Sequence, residues 1–289
     1  PRQPNQRFDS IGAFAEASWQ WREQQKFVAG LRQDRVRALY AMLPENHPLR
    51  LQHTNLSSGF LRYEQQHGSA TYFVGYGQAE RAPDFWERNR SKELANETNR
   101  QWDVGFIWQQ EPWQASVSAF GSRIDGYILV DNLSRTQARN IDARRWGGEA
   151  ELKWRLAPHW QLGGSLAYTR GDNRSDHRPL AQTPPLEAKV HLNWDNGRHS
   201  AGVLWRAVAA QKRYATGQGN IAGQDGGASG GFGVLSLNAG WEVGKNSQRL
   251  VGVDNVVNKQ DAEFVNKSHE WLSGQSQSQR INEPGRQLW

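Results

Sequence analysis

The chain has 289 residues, a formal net charge of +6 and no Cys; only 37% of its residues are hydrophobic and its mean hydropathy is -0.83, yet it holds 14 Trp. No run approaches the ~20 apolar residues of a membrane-crossing helix, and the missing Cys removes disulfides, thiolate nucleophiles and cysteine metal sites from these residues. The Lys and Arg are scattered instead of gathered into the compact block that nucleic-acid binding asks for, so no nucleic-acid partner is expected.

Alternation is the dominant pattern, and it predicts thirteen strands. The first covers 9–21, where Ile11, Ala13, Ala15, Ala17, Trp19 and Trp21 share one parity and therefore one side of a sheet. A short connection at 22–25 leads to the second strand, 26–37, and a long one at 38–53 to the third, 54–64, whose alternation is less regular. His67-Gly68 turns the chain into the fourth strand, 69–79; after a long connection at 80–98 the fifth covers 99–108. Glu111-Pro112 marks the turn into the sixth, 113–124, and a long segment at 125–142 precedes the seventh, 143–156. There Trp146, Ala150, Leu152, Trp154 and Leu156 oppose Glu149, Glu151, Lys153 and Arg155.

Ala157-Pro158-His159 leads into the eighth strand, 160–171, and a long connection at 172–184 into the ninth, 185–194. In the ninth, Leu186, Ala188, Val190, Leu192 and Trp194 face away from Glu187, Lys189, His191 and Asn193. Asn196-Gly197, a strong hairpin signal, joins it to the tenth, 199–209, where Ala201, Val203, Trp205, Ala207 and Ala209 continue the pattern. A long segment at 210–231, containing the loop-like Gly226–Gly231, precedes the eleventh strand, 232–243. Lys245-Asn246 turns into the twelfth, 248–257, and a last long connection at 258–280 leads to the thirteenth, 281–289.

Short and long connections thus alternate strictly, and Trp19, Trp21, Trp108, Trp113, Trp160 and Trp194 stand beside the short ones. Apolar residues at every second position, a girdle of Trp and a set of long loops at one end describe an all-β transmembrane antiparallel β-barrel with a polar lumen. The first and thirteenth strands both run toward the short turns. An odd count cannot close antiparallel, and open edges in lipid are costly. The remaining strands are expected elsewhere in a longer protein, as the start at Pro1 without Met or signal peptide and the stop at Trp289 also lead one to expect.

Four motifs resemble one family. Tyr76-Gly-Gln-Ala-Glu-Arg-Ala-Pro-Asp-Phe-Trp-Glu87 resembles the "Arg-Ala-Pro … Glu" strand-to-loop signature of TonB-dependent outer-membrane receptors. Gly252-Val-Asp-Asn-Val-Val-Asn-Lys259 resembles their late "Asn-Leu-Phe-Asn-Lys" element, and Ile281-Asn-Glu-Pro-Gly-Arg286 the "Glu-Pro-Gly-Arg" that opens their last strand. Pro179-Leu-Ala-Gln-Thr-Pro-Pro-Leu-Glu187 with Trp205-Arg-Ala-Val-Ala-Ala-Gln211 is similar to the copper-receptor branch.

The resemblance implies that residues 1–289 are the C-terminal portion of a 22-stranded barrel, strands ten to twenty-two, with the N-terminal plug lying outside the chain. It departs at the end, since the family closes on an aromatic residue a few positions beyond Trp289. It also implies active uptake of copper, with ferric siderophore or another chelate as the alternative cargo. Work would come from the TonB complex acting through the plug. Outer-membrane lipid and lipopolysaccharide would surround the barrel, with short turns periplasmic and long loops outside. No cofactor and no enzymatic activity are expected; no Ser/His/Asp set or His-Glu-x-x-His spacing is present. A plugless porin, or an outer-membrane enzyme or adhesin barrel of 8–12 strands, fits the pattern less well.

Copper favours Met, Cys and His ligands. Met42 and His47 are the best local pair, with His53 in the same predicted loop and His177 and His269 in others. With one Met and no Cys, the principal ligands are expected from the plug and early strands. Arg81 is expected to pair with carboxylates on the lumen wall or the plug, Pro83 to mark where the sheet gives out, and Pro184-Pro185 to stiffen the approach to the ninth strand.

Overall fold

The computed structural model describes residues 5–132, 137–244, 247–266 and 280–289. They form one antiparallel sheet in which the strands follow one another in chain order. These are β1 (Gln6–Arg22), β2 (Gln25–Tyr40), β3 (Leu51–His67), β4 (Ala70–Arg81), then the short helix α1 (Phe85–Arg90), β5 (Glu97–Gln110), β6 (Trp113–Asp131), β7 (Ala138–Ala157) and β8 (Trp160–Asn173). There follow β9 (Arg178–Pro179), β10 (Glu187–Asp195), β11 (His199–Val208), β12 (Gln218–Gly219), β13 (Phe232–Gly244), β14 (Ser247–Asp254) and β15 (Gln287–Leu288). β9 and β12 are two-residue side branches on β8 and β6. The other thirteen correspond one to one with the predicted strands. No helix among the described residues is long and apolar enough to cross a membrane; crossing falls to the strands.

Register places residues of one parity side by side across the whole sheet. Ala15 lies opposite Leu31, Trp19 opposite Phe27 and Phe27 opposite Tyr63. Val117 meets Ala150, which meets Leu166, which in turn meets Ala188. The result is a continuous band of exposed apolar side chains in which Ile11 and Leu31 are each 75% exposed and Val104, Leu166, Val190 and Leu237 are exposed to a lesser degree. An apolar surface of that extent is incompatible with water and marks a lipid or protein boundary. The opposite face is polar and braced by ion pairs two residues apart, among them Arg32–Asp34 (2.7 Å), Arg62–Glu64 (2.7 Å), Glu151–Lys153 (3.2 Å) and Glu187–Lys189 (2.8 Å).

The band is bordered by aromatic rings at both ends. Near the short turns Trp19 stacks on Phe27 (6.1 Å), Phe27 meets Tyr63 (4.9 Å), Trp113 stacks on Trp154 (4.3 Å) and Trp160 meets Trp194 (6.4 Å). A second row, absent from the sequence reading, lies toward the long loops: Tyr76 with Trp102 (4.8 Å) and Trp146 with Tyr168 (5.5 Å).

Strand limits differ from expectation where a strand leaves the band. β6 and β7 continue to Asp131 and from Ala138, turning most of the predicted 125–142 loop into a protruding hairpin. Its Ile128-Leu129-Val130 run does not alternate because both faces are covered: Ile128 packs with Leu94 and Ala138, while Leu129 packs with Ile124, Ile141 and Leu180. The loop after β2 is shorter than expected, 41–50, so His53 lies in β3. β14 ends at Asp254, and of the predicted 281–289 strand only the last three residues pair with it, Gln287–Leu288 as β15 and Trp289 through Gly252. Lys245-Asn246 and His269 lie outside the described residues.

Candidate functional site: the long-loop rim

The buried core of the chain is here, in the layer built by the long loops. Its first element grows from the Arg-Ala-Pro segment. β4 stops at Arg81, and Pro83, which has no N–H to give a ladder, begins the departure. Asp84 then caps α1 reciprocally: its side chain accepts from Glu87 N (2.8 Å), and Glu87 Oε2 accepts from Asp84 N (2.8 Å). Arg81 grips the same Glu87 with two N–H donors (2.8 and 2.9 Å) and reaches Glu97 Oε2 at 3.0 Å. Glu97 Oε2 also accepts from Ile128 N (3.1 Å), tying the fork to the protruding hairpin. Arg88, 2% exposed, donates to Pro83 O (2.9 Å), to Tyr40 Oη (3.3 Å) and to Gln52 Oε1. The 82–96 loop is thereby fastened to β2, β3, β4, β5 and β6. Of the two carboxylates that Arg81 holds, Glu97 belongs to the wall, where a partner was expected, whereas Glu87 belongs to the motif's own loop helix, which the sequence did not single out.

A second set of contacts joins the 174–186 and 209–231 loops. Asp225, 2% exposed, accepts from Gln182 N, Gln182 Nε2 and Ala215 N, each at 2.9 Å. Burial raises its carboxyl above the usual carboxylate range in spite of those donors. Asp131 accepts from Gln218 Nε2 (3.0 Å) and Arg139 Nη2 (3.2 Å), and Arg139 also holds Asp176. That hydrogen bond keeps the Asp176 carboxyl below its usual range. On the polar face Arg206 donates to Glu187 and to Glu263 Oε1 (2.5 Å), pinning the 255–266 segment to the wall. These links follow register and loop path, so sequence spacing did not reveal them. The one local signal was Asp84-x-x-Glu87, a capping-box pattern.

The late motifs also acquire physical roles. Asn255 closes a loop onto Lys259, donating to its O and accepting from its N, both at 2.7 Å. Asn258 Oδ1 accepts from Arg286 N (2.9 Å), joining the two motifs. A Cβ on Gly285 would stand 2.6 Å from that oxygen, so glycine permits the approach. Trp289 completes the join, exchanging backbone bonds with Gly252 and donating its Nε1 to Asp254 Oδ2 (3.0 Å).

Candidate metal ligands are dispersed. Met42 is 65% exposed in the 41–50 loop. His47 accepts at Nδ1 from Leu49 N (3.1 Å), which occupies that nitrogen in a local turn, and Arg50 closes the loop on Leu43 O (2.7 Å). His177 is exposed in the turn before β9. Among the described residues no three His, Cys, Asp or Glu are arranged to hold a metal ion.

A two-faced antiparallel wall with an apolar band, aromatic borders and an elaborated rim defines the wall of a transmembrane β-barrel of the outer-membrane type. Residues 1–256 match the family model described as TonB dependent receptor-like, beta-barrel, and the chain belongs to that family. Among solved structures it is similar to the copper transporter OprC, at 36% identity and a TM-score of 0.91 over 98% of this chain and 46% of that one. It shares the fold of the FrpB iron transporter from Neisseria meningitidis, F3-3 variant (18% identity, TM-score 0.72, 96% and 44% of the two chains). The same holds for the ferripyoverdine receptor of the outer membrane of Pseudomonas aeruginosa (14%, TM-score 0.72, 98% and 38%). The chain spans less than half the length of these structures. No curated sequence matches it.

Proposed function

We propose that these residues form the C-terminal wall and loop layer of a TonB-dependent receptor that takes up copper across the outer membrane. The observation that carries the copper reading is the likeness to the copper transporter OprC, which extends over 98% of the chain at 36% identity. In this reading the short turns are periplasmic and the long loops face outward, where they present a pre-organised surface to cargo. No bond in the cargo is broken; the chain binds, positions and admits. TonB acts on the plug, and the principal copper ligands lie outside this chain, with Met42 and His47 at most an outer stopping point. A ferric siderophore or other chelate is the second reading, favoured by the shared fold of the iron and ferripyoverdine receptors.

The test compares copper and ferric chelates side by side in cells carrying the intact receptor, with and without TonB, together with the metal content of the purified receptor. Copper accumulation that disappears without TonB is expected. Uptake of iron chelates with no copper uptake would transfer the assignment to the second reading, and uptake indifferent to TonB would indicate a porin. In the purified receptor, Met42→Leu with His47→Ala should leave stoichiometric copper in place. Complete loss of copper would make that loop the primary site.

A further inference from the structure

One row of residues on the apolar-band face has the wrong charge for its surroundings. Arg100 on β5 is the register partner of Arg123 on β6, and Arg123 is the partner of Arg144 on β7. Three guanidinium-bearing residues therefore stand abreast at neighbouring-strand spacing, ~4.8 Å, where like charges directly opposite are destabilising. Two of them share one carboxylate: Asp125 accepts from Arg100 and from Arg123 Nε (3.0 Å). Arg144 has no carboxylate within 4.0 Å among the described residues. Its register partner Asp172 is engaged by Arg213 and lies 3.7 Å from Arg170.

The level of this row matters. Arg100 and Arg144 come two residues beyond Trp102 and Trp146, which belong to the aromatic border on the long-loop side. Two residues are ~7 Å of strand, the step from the apolar boundary into the headgroup layer. Tyr76, Trp102, Arg100, Arg123, Arg144 and Arg174 line one open cavity of about 800 Å³ there. Its four guanidinium groups outnumber the carboxylates of Asp125 and Asp142.

We propose that this Arg100–Arg123–Arg144 row binds the phosphate groups of a phosphorylated glycolipid in the outer leaflet. The inference rests on the outward orientation of the long loops given above. Guanidinium forks match phosphate oxygens in pairs, and the rings of Tyr76 and Trp102 directly beneath suit the sugar-to-acyl junction of such a lipid. Bound phosphate also offsets the repulsion along the row. The site lies on the face away from the lumen, so cargo in transit does not meet it.

The intact receptor, delipidated in mild detergent, is titrated with diphosphorylated lipid A and with the same lipid stripped of phosphate, and retained lipid is counted by native mass spectrometry. The wild type should favour the phosphorylated form by about tenfold or more. Arg123→Gln with Arg144→Gln should abolish that preference, while Arg123→Lys with Arg144→Lys keeps most of it. In lipid-free detergent the Gln variant should unfold no earlier than wild type, which separates lost binding from lost folding. Retention of the preference by the Gln variant, or equal binding of both lipids by wild type, overturns the proposal. No cargo is present, so a failed copper reading leaves the result standing. Labelling of Arg144→Cys in whole cells by an impermeant maleimide reports the orientation separately.

Discussion

At the scale of single residues, charge placement decides how firmly the rim is held. Glu87 is 4% exposed, and its two oxygens are satisfied by Arg81 and the Asp84 N–H. Arg81→Ala would leave that carboxylate buried with one donor, a change worth about 2–3 kcal/mol because Arg81 itself is partly solvated. Hydrogen exchange across 84–91 in the intact receptor should accelerate accordingly, and Arg81→Lys should recover only part because an ammonium cannot form the two-pronged bond. Unchanged exchange in Arg81→Ala would mean the capping box alone holds α1.

Two loop carboxylates predict opposite responses to acid. The Arg139 hydrogen bond lowers the Asp176 carboxyl from its usual 3.8. Its contribution is therefore present above the unfolded value and is lost as pH falls through the lower folded value. Burial raises Asp225, so its contribution is full below the unfolded value and fades as pH rises through the higher folded one. Hydrogen exchange, corrected for intrinsic rates, should show 211–218 holding or gaining protection from pH ~7 to ~4, whereas 173–177 loses it below pH ~4. The reverse order would contradict both attributions.

At the scale of elements, the strands that cross the apolar band were legible because only one of their faces is apolar, as in β7 with Ala150, Leu152 and Trp154 against Glu149, Glu151 and Lys153. Legibility failed where that condition failed. The β6–β7 extension is covered on both faces, so Ile128-Leu129-Val130 carries no period. α1 is six residues long, too short for a helical pattern, and β15 is a two-residue pairing whose register depends on Trp289. The rim was legible only as motifs; that Arg81 meets Glu97, or that Arg100, Arg123 and Arg144 align, requires the register. The last pairing yields a further prediction. A Cβ on Gly252 would lie 2.2 Å from the rigid indole of Trp289, whereas on Gly285 it would meet the movable end of Asn258. Gly252→Ala should cost about 2 kcal/mol by overpacking and Gly285→Ala less. Denaturant midpoints of the intact receptor check this, and equal midpoints for the two would show that Trp289 swings aside freely.

At the scale of the whole molecule, the two aromatic borders set the height of the wall. From Trp146 to Trp154 is eight residues, roughly 26 Å along the strand at ~3.3 Å each and roughly 20 Å along the membrane normal at ~40° tilt. That height suits the apolar band of an outer-membrane barrel, ~25 Å. Lipid contact on one parity and water on the other is what the barrel, the rim and the arginine row all presuppose. Because these 289 residues contain no Cys, single Cys substitutions from 147 to 155 can each carry a spin label in the intact receptor reconstituted in bilayers. Labels at 148, 150, 152 and 154 should be relaxed by oxygen dissolved in lipid, and those at 149, 151 and 153 by a water-borne nickel chelate. Loss of that two-residue period, or its inversion so that Glu149, Glu151 and Lys153 meet lipid, would contradict the account.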